Sequence, residues 1–124
     1  MGDILNYHDL RVWQAGMNLA EAIFRLTQPF PQREVYGLAS QMRGAAVSIP
    51  SNIAEGHTLE GTKEYLYHLN VAQGSLAELQ TQIELSSRLG YLTPEERDGL
   101  MDQTVALTRQ LYALRNSLVK RGFP

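Results

Sequence analysis

Apolar residues recur along this chain at alternating steps of three and four, the repeat of a helix face, and never alternate one by one for more than a few residues. The first segment, over about residues 8–28, carries two such rows. One is Leu10, Trp13, Met17, Ala20 and Phe24, and the other is Val12, Gly16, Leu19, Ile23 and Leu26. At about 100° per residue the two rows cover roughly half the helix circumference. Arg11, Asn18, Glu21 and Arg25 share the remainder. A helix on the outside of a monomeric bundle needs a narrower stripe, so the surplus predicts a contact beyond the helix's own bundle. Pro29 and Pro31 end the segment.

Three more helical segments follow. The second, about residues 33–58, places Leu38, Met42, Ala45, Ile49 and Ile53 inward and stops near Gly56, with Gly61 in the next loop. The third, about 62–89, repeats Tyr65, Leu69, Ala72, Leu76, Leu79 and Ile83, and Gly90 is placed to cap its end. The fourth, about 94–121, opens on Thr93-Pro94-Glu95-Glu96, which supplies an N-cap, a first-turn proline and a capping-box glutamate. Leu100, Thr104, Leu107, Leu111, Leu114 and Leu118 continue it. Four helices joined by short loops predict an all-α, antiparallel up-down-up-down four-helix bundle, one domain over residues 1–124.

Composition narrows the function classes. The chain has no cysteine, which removes disulfides, thiolate metal sites and a cysteine nucleophile, and fits a reducing cytoplasm. No apolar run approaches 18 residues, so no membrane span is expected, and the N-terminus lacks the pattern of a secretory signal. With 11 Lys+Arg against 13 Asp+Glu the net charge is -2, without the basic stripe of a duplex-binding domain. Only Arg115, Lys120 and Arg121 gather positive charge, at a helix end that the macrodipole favours for cations. They are the candidate nucleic-acid contacts.

Catalytic and metal chemistry find little footing. A di-metal bundle needs two Glu-x-x-His pairs, and none of His8, His57 or His68 follows a glutamate by three residues. Glu64 and His68, four apart, are expected to form a surface pair. No phosphate-cradling glycine motif is present, and Ser48 and Ser51 lack the flanking pattern of an activated nucleophile. The sequence therefore predicts a non-enzyme without cofactor, metal or catalytic residues.

The segment Ser48-Ile49-Pro50-Ser51-Asn52-Ile53-Ala54-Glu55-Gly56 is the most unusual in the chain. Pro50 removes an N–H and clashes with the carbonyl of Ala46, which mid-helix costs about 3 kcal/mol. The helix is expected either to bend there or to restart with Ser48 as N-cap; both kink helix 2 near Pro50. Asn52 and Glu55, three apart, are expected to share a side as half-buried groups that fix register, Glu55 with a donor partner. A polar ligand pocket around them is the alternative. Gly74-Ser75 would let helix 3 approach closely, and Glu78 could pair with Arg43.

This segment also carries a family resemblance. With Arg11-Val12-Trp13, Tyr36-Gly37-Leu38, Gln41-Met42-Arg43, Lys63-Glu64-Tyr65, Gly74 to Leu79 and Arg88 to Leu92, the chain resembles the bacterial four-helix-bundle proteins encoded in intervening sequences of 23S ribosomal RNA genes. The likeness runs over about residues 8–118. It implies a small cytoplasmic homopentamer with no enzymatic activity and a poorly defined role, whose structural signature here is Arg43, Ser48, Pro50, Asn52, Glu55, Gly56, Gly74 and Glu78. Relatives include the accessory protein of diversity-generating retroelements, which associates with a reverse transcriptase and RNA. An RNA-handling partner is therefore the alternative function. Gly44 and the run from His57 to Gly61 stand where relatives carry basic residues.

Overall fold

Helix boundaries in this chain are set by side chains as much as by proline and glycine. The computed structural model describes residues 6–59 and 61–121, with four helices: α1 Arg11–Thr27, α2 Leu38–Thr58, α3 Thr62–Arg88 and α4 Pro94–Lys120. The first helix starts later than its periodicity predicts. The Asn6 side chain accepts the His8 amide and closes a separate 3-10 turn over Tyr7–Asp9, and Leu10 is extended before α1 begins. The second starts later too, at Leu38 rather than near residue 33. A 3-10 turn over Gln32–Glu34 follows Pro31, and the Glu34 carboxylate then accepts the Leu38 amide at 3.1 Å.

The α3–α4 connection obeys local sequence rules. Gly90 takes a positive φ of 82° after α3. Its N–H donates to Ser87 O at 3.0 Å and that of Tyr91 to Ser86 O at 2.9 Å, the paired bonds of a Schellman stop. At the start of α4, Thr93 Oγ1 accepts the Glu96 amide at 3.1 Å and Glu96 Oε1 accepts the Thr93 amide at 2.9 Å, a complete capping box.

Pairs of touching residues show the antiparallel order. From α1 to α2, Thr27 meets Arg43 and Gly16 meets Pro50. From α2 to α3, Met42 meets Ser86, Ser48 meets Ser75 and Asn52 meets His68. From α3 to α4, Glu84 meets Arg97 and Gln80 meets Thr104. Each pairing descends one helix as it climbs the other. The core runs down the axis through Leu19, Ile23, Met42, Ile49, Ile53, Leu69, Leu76, Ile83, Leu107 and Leu111, none more than 1% exposed. Full burial of such a side chain is worth about 1.5–3 kcal/mol. No described helix is long and apolar enough to cross a membrane.

Candidate functional site

Helix α2 is unbroken through Pro50, so Ser48 does not restart it as an N-cap. Instead the helix turns two different faces to its two neighbours. Ser48, Asn52 and Gly56, at steps of four, lie along α3. Val47, Pro50, Ser51 and Ala54 lie along α1.

The α3 side is a polar seam. Asn52 Nδ2 donates to Ser48 O at 2.8 Å and to Ser48 Oγ at 3.1 Å, while Ser48 Oγ is bonded to Ser75 Oγ at 2.8 Å. A backbone carbonyl can only accept, so the amide nitrogen must face Ser48, which turns Asn52 Oδ1 to His68 Nδ1 at 2.9 Å. His68 therefore carries its proton on Nδ1 in the neutral ring. One turn on, a Cβ added at Gly56 would stand 2.9 Å from Tyr65 Cδ1 and 3.0 Å from His68 Cβ. The absence of a side chain there lets α3 close on α2. His57 Nδ1 and the Tyr65 hydroxyl, 3.3 Å apart, extend the seam to the end of α2. Burial pushes the Tyr65 phenol above its ordinary pKa, and the Arg121 charge partly offsets this.

Several expected contacts fall elsewhere. Glu55 is exposed and has no hydrogen-bond partner among the described residues, because it projects about 60° further round the helix than Asn52 and away from α3. Gly74 is exposed, and an added Cβ would meet nothing within 4 Å, so Gly56 and not Gly74 allows the close approach. Arg43 faces α1: Nε donates to Thr27 Oγ1 at 2.9 Å and the guanidinium lies over the Phe24 ring at 5.1 Å. Glu78 is exposed on α3 and meets Gln82 Nε2 at 3.5 Å, so the two do not pair. His68 turns to Asn52 and not to Glu64. The amide and imidazole are both half-buried and need partners, whereas Glu64 is solvated.

The α1 side is an apolar groove. Of the two rows on α1, Val12, Gly16, Leu19 and Ile23 are buried in the bundle, while Met17 and Phe24 remain 44% and 42% exposed. Pro50 packs its ring against Gly16, where an added Cβ would stand 3.4 Å from Pro50 Cβ. Ala20, Pro50 and Ala54 form a floor of small side chains. Trp13, Met17, Phe24 and Val47 are the walls, and Tyr7 lies toward one end. The groove measures about 640 Å³ and carries Asn18, Glu21 and Ser51 as its polar groups.

No three metal-ligating side chains converge among the described residues. The Ser48 hydroxyl is engaged by Ser75 and Asn52, and the nearby imidazole faces Asn52, not a nucleophile. Arg115 is half-buried on α4, and Lys120 and Arg121 are exposed at its end; none is ion-paired among the described residues. Of the actual partners of the signature, Ser75 was expected only as a point of close approach beside Gly74, and Tyr65, His68 and Thr27 were not identified from sequence. The i, i+4, i+8 row of Ser48, Asn52 and Gly56 is the signal that could have pointed to the first three.

No curated protein matches the chain. Among solved structures, a protein of unknown function from the S23 ribosomal protein family of Bacteroides thetaiotaomicron superposes with a TM-score of 0.78 at 19% identity, covering 85% of this chain and 95% of that one. At that identity the likeness establishes the shared four-helix fold. The family described as 23S rRNA-intervening sequence protein matches residues 8–113, from the 3-10 turn before α1 to the last third of α4. That span includes both seams of α2, and the chain belongs to the 23S rRNA-intervening sequence protein family.

Proposed function

We propose that this chain is a non-enzymatic scaffold of the bacterial cytoplasm that works as a homo-oligomer, assembling through the groove between α1 and α2. The observation that carries the reading is the apolar wall of exposed Met17, Phe24 and Val47 with half-buried Trp13, over a floor of small residues. A contiguous apolar patch of this kind on a small soluble domain marks an interaction surface. A subunit number of five is what the family resemblance implies. Light scattering on the purified protein tests the assembly, and the ratio of absorbance at nucleic-acid and protein wavelengths reports co-purified RNA. Met17→Glu is expected to leave the helical spectrum intact and reduce the particle to a monomer. Wild-type protein that is monomeric throughout would remove the reading.

A second reading is an accessory protein acting beside an RNA-handling enzyme. It rests on Arg115, Lys120 and Arg121, which carry no ion pair among the described residues. It requires an RNA affinity that falls steeply with salt, and an intact oligomer that binds no RNA at low salt would dismiss direct contact.

A further inference from the structure

We infer that the α1–α2 groove is a binding site for an aliphatic carboxylate, a fatty acid with its chain along the apolar floor and its head on Arg43. The site does not rest on the assembly reading, although it uses the same groove.

Arg43 gives the site its polar end. Phe24 is the last α1 residue of the groove, and the Arg43 guanidinium stands over its ring, 5.1 Å from the centre. Arg43 Nε donates to Thr27 Oγ1 at 2.9 Å, and the Thr27 hydroxyl is itself fixed by donating to Ile23 O at 2.7 Å. Nη1 and Nη2 engage no acceptor and no acid among the described residues. A half-buried guanidinium held through its face and its Nε still presents two parallel N–H donors, a fork that takes both oxygens of a carboxylate. Glu21, the one acid that lines the groove, is paired with Arg25 at 3.1 Å. The uncommitted charge at this surface is therefore positive.

The rest of the groove suits methylenes. From Phe24 to Trp13 it runs about 16 Å along α1, with Met17 between them. The far end is edged by Tyr7, whose ring packs 5.2 Å from that of Trp13. The floor offers no donor, because the amides of Ala20 and Ala54 are committed within their helices and Pro50 has none. An extended peptide laid there would bury backbone N–H and C=O groups without partners, whereas an alkyl chain has none to satisfy. At about 640 Å³, mostly apolar with few polar groups, the groove has the size and make-up of small-molecule sites.

The chain carries its own reporter, since Trp13 is its one tryptophan and lines the groove. Trp13 emission is followed while dodecanoate is added below the concentration at which it forms micelles. A saturable change is expected, with binding about tenfold tighter than that of dodecylamine, which has the same chain and the opposite charge. Arg43→Gln is expected to weaken dodecanoate about tenfold and to leave dodecanol unchanged, which also shows that the variant's groove is intact. Equal binding of dodecanoate and dodecylamine to wild type would overturn the carboxylate end, whether or not the variant folds. So would an Arg43→Gln loss that dodecanol shares. Light scattering on the same samples separates the two uses of the groove. Wild type that assembles but never responds to dodecanoate, even at dilutions where the copies separate, would overturn the ligand site and leave the assembly standing. Wild type that is monomeric and binds dodecanoate would do the reverse.

Discussion

The two seams of α2 differ in almost every physical respect, although Pro50 and Asn52 are only two residues apart. The α3 seam is closed, polar and hydrogen-bonded, with Gly56 allowing Tyr65 and His68 to lie against the α2 backbone. The α1 seam closes where Gly16 meets Pro50 and where Arg43 meets Thr27, and opens outward into an apolar groove. One short stretch of sequence thus serves intramolecular register on one side and an unfilled surface on the other. A segment rich in special residues need not mark a single site. Here its members divide by helix angle into two sets with separate tasks.

Substitutions that affect one seam and spare the other test this division. The largest effect is expected from Gly56→Val. Its new side chain would overlap Tyr65 and His68, at a cost of about 3 kcal/mol in urea unfolding. An unfolding midpoint equal to wild type would show that the close approach is not needed. Asn52→Ala removes two donors from Ser48 and the acceptor of His68, and should cost about 1.5 kcal/mol. Its assembly state at native conditions should be unchanged, since Asn52 does not face the groove.

Pro50→Ala should separate stability from assembly. The variant regains a helix N–H and loses the ring's contact with Gly16, for a net gain of about 1 kcal/mol in folding. The groove floor is expected to move with the lost ring contact, so the oligomer should dissociate at lower dilution. If assembly, stability and helix geometry all stay put, the proline has no special role in the groove.

The smallest effect expected is a shift with pH at a site remote from both seams. The Leu38 amide first, and then the Tyr91 hydroxyl, hold the Glu34 carboxyl below its ordinary pKa. A carboxyl whose pKa is lower folded than unfolded stabilises the fold fully above the unfolded value. That contribution is lost as pH falls through the folded value. Acid titration of the unfolding midpoint should thus be shallower in Glu34→Gln than in wild type. Identical slopes would exclude Glu34 as a contributor.

Much of the fold was legible because its signals are local. Thr93, Pro94 and Glu96 define the start of α4 within four residues, and Gly90 ends α3 through its own φ. The start of α1 was misplaced because the Asn6 side chain, and not the apolar row, closes the turn before it, and that of α2 for the opposite reason. Glu34 reaches Leu38 and also Tyr91, 57 positions away, and periodicity has no access to such a contact. In the signature, spacing three grouped Asn52 with Glu55, whereas the bundle selects spacing four and groups Asn52 with Ser48 and Gly56. Both spacings share a helix side in isolation. Which one faces a neighbour depends on where α3 lies, and that is a property of the assembled bundle. The excess apolar arc on α1 was readable, since its breadth exceeds what one bundle can bury.

Capping in this protein is lopsided, and this has a consequence for motion. The Glu34 clamp on α2, the Schellman stop of α3 and the capping box of α4 all lie at one end of the bundle. At the other end, α1 begins after Leu10 and α3 after Gly61, neither with a side-chain cap. Terminal amides with no such partner open more readily to solvent. Amide hydrogen exchange should then be graded along the long axis, slow at the Glu34–Tyr91 end and faster in the first turns of α1 and α3. Fraying is expected from the end where α1 and α3 begin without caps, and not from the clamped one.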